Sequence, residues 1–176
     1  MRVVFDASSR ARGCKFLKEC LENGDNLCQD LVRVLLRFRM HPIAIMTDIK
    51  KAFLQILINE ENLDAFRFLW FEEGDVADFQ RKQPRAWRMT RISFGVTCSP
   101  FMPTATILHH FRTAPPSMSL TAPTLSESFY VDDFVRGADT EDEDAEFCKE
   151  EQQLMLSAGM NPRKWTTNSA MLMNLL

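Results

Sequence analysis

Three carboxylates stand where a stable fold would rather have apolar residues. Asp48 closes the apolar run Ile43-Ala44-Ile45-Met46-Thr47, and Asp132 and Asp133 interrupt the run Phe129-Tyr130-Val131 to Phe134. Apolar neighbours raise the energy of an ionised carboxylate, so such positions are costly unless positive charge sits on them. A divalent cation is the simplest partner, and carboxylate oxygens suit Mg²⁺. Side chains alternate along a strand. Asp132 and Asp133 would therefore point apart in a regular strand, whereas a tight turn between two short strands lets both reach one site. Alone, the pair reads equally as a solvated hairpin turn. With Asp48 added, the set reads as a metal site. Two Mg²⁺ ions (Mn²⁺ as a substitute) about 4 Å apart would clamp the attacking and leaving oxygens of a phosphoryl transfer. That chemistry needs positioning and charge neutralisation more than further functional groups. Phe53, five residues after Asp48, is either packed under a bound sugar or part of the core.

The elements that must position these residues follow from pattern. Met1 to Ser8 alternates as a strand, and Gly24-Asp25-Asn26 carries helix-start chemistry ahead of Leu27, Leu31, Val34, Leu35 and Phe38 at helical spacing. The run 43–48 suits a central strand, and residues 49–56 turn helical. Residues 66–71 and 85–92 form a long-looped hairpin. Five basic residues and no acidic one lie between Arg81 and Arg91, a solvated tip or a template-phosphate contact. Ser99 reads as an N-cap with Pro100 at the first position of a helix running to about Arg112. Residues 113–126, with Pro115, Pro116 and Pro123, read as a loop. After the strand pair around Asp132-Asp133, Thr140 and Glu143 spell a capping box, and the acidic run 139–151 reads as a solvated helix face. Gly159 stops that helix, residues 163–168 form a last strand, and 171–176 is an apolar tail without a packing partner.

Composition bounds the function classes. The 176 residues are 45% apolar and 26% charged, enough for one domain with a core. No apolar run reaches membrane-span length and the N-terminus lacks a signal peptide, so a soluble intracellular protein, cytoplasmic or nuclear, is expected. Five cysteines without a Cys-x-x-Cys pair suggest reduced thiols and no zinc site, and His41, His109 and His110 have no cysteine at ligand spacing. The net charge of −3 is unevenly spread. Residues 1–112 hold 17 Lys/Arg against 13 Asp/Glu, and residues 113–176 hold 4 against 11. The basic share that phosphate contacts need lies upstream.

The order Asp48…Phe53, then Phe94-Gly95…Ser99-Pro100, then Tyr130-Val131-Asp132-Asp133 resembles the conserved blocks of reverse transcriptases. Val4-Phe5-Asp6-Ala7-Ser8, Phe68-Leu69-Trp70, Ser93-Phe94-Gly95…Ser99-Pro100-Phe101 and Arg163-Lys164-Trp165 resemble the Pao (BEL/Pao) long-terminal-repeat retrotransposons, from about Arg2 to Asn168. The resemblance implies an α+β fold, the palm of a right-hand polymerase, as a small antiparallel sheet backed by helices. It divides the chain into partial fingers (1–47), palm (48–64), a fingers hairpin (65–95), palm (96–170) and a tail (171–176), with the thumb and upstream fingers absent. It further implies RNA-directed DNA polymerisation: transfer from a deoxynucleoside triphosphate to a primer 3′-hydroxyl on an RNA or DNA template. Asp48 and Asp132 would ligate two Mg²⁺ with Asp133 assisting, and Phe53 would be the gate that rejects a ribose 2′-hydroxyl. That gate opposes an RNA-templated RNA polymerase. Arg2 would hold the triphosphate. Phe94, Gly95 and Tyr130 would line the nucleotide site. Lys164 would be either the general acid for pyrophosphate or a solvated lysine. Phe94 replaces a glutamine usual in retroviral relatives. The expected context is a polyprotein with protease, RNase H and integrase. A catalytically silent fragment acting at most as an interaction module is the rival expectation.

Overall fold

The computed structural model describes residues 6–10, 12–71 and 83–176. A four-stranded antiparallel sheet positions the acidic residues. Its strands are β1 (Ile43–Ile49), β4 (Phe129–Tyr130), β5 (Asp133–Ala138) and β6 (Pro162–Thr167), in the order β4-β5-β1-β6. β2 (Arg67–Trp70) and β3 (Arg85–Arg88) form a separate hairpin, paired from Arg67 opposite Arg88 to Trp70 opposite Arg85. The helices are α1 (Leu17–Cys20), α2 (Leu31–Arg39), α3 (Ala52–Gln55), α4 (Phe101–Arg112), α5 (Thr121–Ser128), α6 (Glu141–Ser157) and α7 (Ala170–Met173).

β1 sorts its residues by period two. Ile45, Thr47 and Ile49 are buried, while Met46 and Asp48 lie on the more open face. Phe134 and Ala138 of β5 join the buried face. Ile49, Phe53, Ile107, Phe111, Leu125, Phe129, Phe134 and Leu154 belong to one continuous core. Each such side chain contributes about 1.5–3 kcal/mol by leaving water. α2 lies against β5 on the other side. Gly137 permits this approach, because a Cβ there would stand 2.7 Å from the Phe38 carbonyl oxygen.

Several local expectations give way to tertiary packing. The described part of the first strand, Asp6-Ala7-Ser8, is a turn in which Asp6 accepts from the Ser8 N–H at 3.0 Å. Residues 1–5, and with them Arg2, lie outside the described residues, as do Arg81 and Lys82. α2 starts four residues late, because Asp30 rather than Asn26 is the cap: its carboxylate accepts from the N–H groups of Val32 and Arg33. Ser99 does not cap α4. Its hydroxyl donates to the Ser93 carbonyl at 2.6 Å, and the helix begins at Phe101.

Residues 113–126 are not a loop throughout. A 3₁₀ turn at Pro116–Met118 leads into α5, where Pro123 sits in the first turn and costs no ladder bond. Thr140 precedes α6 without the side-chain capping bond, and Glu141 instead accepts from the Ser169 hydroxyl. The acidic run is not wholly solvated either. Asp144 and Glu151 are buried, and Arg136 donates to Asp144 Oδ1 at 2.8 Å. The apolar tail has a partner after all. α7 buries Leu172 completely beside Ile45 and Cys148, with Trp165 packed alongside.

Candidate active site

Asp48 lies near the end of β1, and the antiparallel registers decide what stands beside it. Asp133 is directly opposite on β5, and Arg163 is opposite on β6. Residues directly opposite in a ladder share a face. Asp48 and Asp133 therefore project from the same side of the sheet. Asp132 reaches this end through the two-residue turn Val131-Asp132 that joins β4 to β5, with Tyr130 paired to Asp133. The turn is pinned to β1, since the Ile49 N–H donates to the Asp132 carbonyl at 3.0 Å. The tight turn expected from sequence is the device that defeats strand alternation.

The backbone is strained at this end of the sheet. Among the described residues, the non-glycine residues with positive φ are Lys51 (53°), Val131 (59°) and Lys164 (55°). Val131 immediately precedes Asp132. Lys51 ends the turn out of β1, and Lys164 follows Arg163. A β-branched residue such as valine is seldom found in the left-handed region. Conformations of this kind persist where the surrounding fold over-determines them, and they gather at functional sites.

The electrostatics are those of crowded acids. Burial, followed by the charge of Asp48, raises the Asp132 carboxyl above its usual range, against the pull of Lys164. Burial raises Asp133 as well, with Asp132 and Asp48 adding to the effect. The compensating charges come from β6. The Lys164 ammonium donates to Asp48 Oδ2, and the Arg163 guanidinium lies 3.8 Å from the same oxygen. Three hard oxygen donors that repel one another and already draw a cation are suited in kind to a divalent ion. Among the described residues, no three or more His, Cys, Asp or Glu side chains are gathered into a ready ligand cage.

Phe53 follows from Lys51, whose left-handed backbone turns the chain into α3. The Phe53 ring is 9% exposed and packs on Phe94, with centroids 4.6 Å apart and planes at 50°. Phe94 is itself 55% exposed, and Gly95 beside it takes φ +88°, which suits glycine. Arg91 fixes this loop against α3 by donating to the Gln55 carbonyl at 2.8 Å, and the Ile92 N–H donates to the Ile56 carbonyl. Asp48, Asp132, Asp133 and Lys164 are thus drawn into one electrostatic cluster, and Phe53 with Phe94-Gly95 form a second unit. Tyr130 joins the first through its backbone pairing. Arg163 was not foreseen. The adjacent basic pair at the start of a strand was its only signal, and alternation would have placed just one of the two on the Asp48 face.

The chain is similar to three solved structures of foamy viral protease-reverse transcriptase. One, in complex with an RNA/DNA hybrid, matches with TM-score 0.58 at 18% identity over 79% of this chain and 16% of that one. A selenomethionine-labelled mutant of the prototype foamy virus enzyme gives 0.61 at 18% identity, over 84% and 17%. A third, in complex with double-stranded DNA, gives 0.59 at 19% identity, over 81% and 21%. The fold is reverse-transcriptase-like. The chain spans between a sixth and about a fifth of the length of these structures. No protein-family model and no curated protein matches it. Among the described residues, no helix is long and apolar enough to cross a membrane.

Proposed function

We propose that this chain is the palm, with part of the fingers, of an RNA-directed DNA polymerase from a retrotransposon of Pao type. The observation that carries the reading is the meeting of Asp48 with Asp132 and Asp133 at one end of a reverse-transcriptase-like sheet. Asp48 and Asp132 would hold Mg²⁺, with Asp133 assisting. When bound, the ions would neutralise charge on the triphosphate and activate the primer 3′-hydroxyl. The remaining ligand positions fall to water and to the nucleotide's own phosphates, which agrees with the open arrangement of the carboxylates.

The chain's own residues do the positioning. Phe53, held against Phe94, closes the space a ribose 2′-hydroxyl would need and so favours deoxynucleotides. Phe94 offers an exposed ring to a base, and Gly95 lets the backbone come close to it. Tyr130 braces the turn that carries Asp132. Lys164 gives its proton to the leaving pyrophosphate, and Arg2 binds the triphosphate. Template with primer and deoxynucleoside triphosphates are the partners, within a polyprotein that also holds protease, RNase H and integrase.

Primer extension on an RNA template with Mg²⁺ tests the reading. The expected result is deoxynucleotide addition that Asp132→Asn lowers by about 10²-fold or more, the usual loss when a group that stabilises transition-state charge is removed. Extension unchanged by Asp132→Asn would sink the site assignment. No extension at all by this chain would favour the silent-fragment reading.

A further inference from the structure

β6 does not pair regularly with β1. Met46 stands opposite Thr166 and Asp48 opposite Arg163, so the single residue Thr47 faces both Lys164 and Trp165. This is a bulge, and its extra residue breaks the alternation of faces. Thr166 and Arg163 share the face of Met46 and Asp48, while Trp165 turns inward to the cluster of Ile45, Cys148 and Leu172. Lys164 takes φ +55° and lies on the open face beside Arg163. The Thr47 hydroxyl locks the base of the bulge by donating to the Arg163 carbonyl at 2.9 Å. A regular strand would bring one of two successive residues to Asp48. The bulge brings both cations there, and Lys164 makes the direct contact, Nζ to Asp48 Oδ2.

We propose that Lys164 is a resident counter-cation of the acidic site: its ammonium holds Asp48 while no divalent cation is present and must leave when one binds. The inference rests on the metal-binding reading of the three carboxylates. It goes further by giving the acidic site a cation of its own, in an ion pair that an entering divalent cation exchanges for its own charge. The side chain suits exchange, because Lys164 is 64% exposed and Asp48 only 23%, so the lysine can swing into water while the carboxylate stays.

Mn²⁺ serves as the probe, with bound and free ion measured by electron paramagnetic resonance on the whole chain. Lys164 accessibility is read as its acylation rate by peptide mapping, with exposed Lys149 as the internal reference. Mn²⁺ is expected to speed Lys164 acylation several-fold relative to Lys149. In Asp48→Asn, acylation is expected to be fast with or without the ion. Lys164→Gln is expected to bind Mn²⁺ roughly 2- to 5-fold more tightly, the scale of one exposed ion pair. Arg163→Gln, which removes the same charge from the same face at 3.8 Å, is expected to change binding less. Mn²⁺ binding without a change in Lys164 acylation overturns the proposal, and so does tightening as large in Arg163→Gln as in Lys164→Gln. If neither wild type nor Lys164→Gln binds Mn²⁺, the metal reading of the carboxylates fails first and takes the counter-cation role with it.

Discussion

On the proposed reading Phe53 has two demands on it, and they can be separated. Its ring is in the core, yet its neighbour Phe94 is largely exposed, so the pair spans the border between packing and pocket. Truncation to alanine would confuse the two, since a buried Phe→Ala costs about 3–5 kcal/mol. Phe53→Val keeps a branched apolar side chain and removes the ring. It is expected to lower the melting temperature by several degrees. It is also expected to raise ribonucleotide use relative to deoxynucleotide use by about 10-fold or more, an effect of 1.4 kcal/mol or above. Competing single-nucleotide incorporation measures this. A variant that loses stability but keeps full sugar discrimination would leave Phe53 a core residue and nothing else.

At the scale of elements, α6 is held to β5 through charge as well as apolar contact. Arg136 pairs with Asp144 and stacks over Phe147, its guanidinium carbon 3.7 Å from the ring centroid. Glu151 lies deeper, 2% exposed, and neither Glu151 Oε2 nor Asp144 Oδ2 has a hydrogen-bond partner among the described residues. Burial raises Glu151 well above the ordinary carboxylate range and raises Asp144 too, in both cases against the pull of Arg136. A carboxyl that binds its proton more tightly folded than unfolded stabilises the fold at low pH. That stability is complete below the unfolded pKa near 4.5 and is lost as pH rises toward the folded value. Glu151→Gln removes this dependence. It is expected to stabilise the fold at pH 8 by roughly 1–2 kcal/mol and to do little at pH 4.5, as read by urea melts at both pH values. α7 makes a simpler case. Leu172 is fully buried, so Leu172→Ala is expected to cost about 2–5 kcal/mol in the same melts, whereas a loose tail would lose almost nothing.

On the proposed reading, the whole molecule would bring a polyanion to an acidic site with a net charge of −3. Its basic residues are concentrated in the first 112 positions, and the β2–β3 hairpin carries Arg67, Arg85 and Arg88 beside the exposed rings of Trp70 and Trp87. Arg67 and Arg88 are partly committed to Asp64, at 2.9 and 3.4 Å. Template-primer binding is therefore expected to be weak and to fall with salt along a shallow slope, because few phosphates are neutralised. Arg85→Ala is expected to lower the magnitude of that slope by about one and to weaken binding equally across template sequences. A titration of labelled template-primer against salt measures both. A slope that Arg85→Ala leaves unchanged would take the hairpin out of the nucleic-acid path.

The sequence by itself determined the pieces whose cause is local. An apolar run ended by Asp48, a turn close to Asp132-Asp133 (it falls at Val131-Asp132) and the helical spacing of residues 141–157 are legible because strand alternation, turn chemistry and amphipathic period act over a few residues. The idea that three separated carboxylates belong together was legible from their interruption of apolar runs, whereas the α+β layout was an expectation drawn from the resemblance of the sequence blocks to reverse transcriptases. Tertiary structure alone decided how they meet: registers setting Asp133 and Arg163 opposite Asp48, a pinned turn delivering Asp132, and a bulge adding Lys164. It also decided that Asp144, Glu151 and Leu172 are buried, since burial depends on which distant elements arrive to cover a residue. Register and burial are long-range quantities. No period in the chain encodes which strand will lie beside β1, and shifting that neighbour by one residue would turn Lys164 away from Asp48.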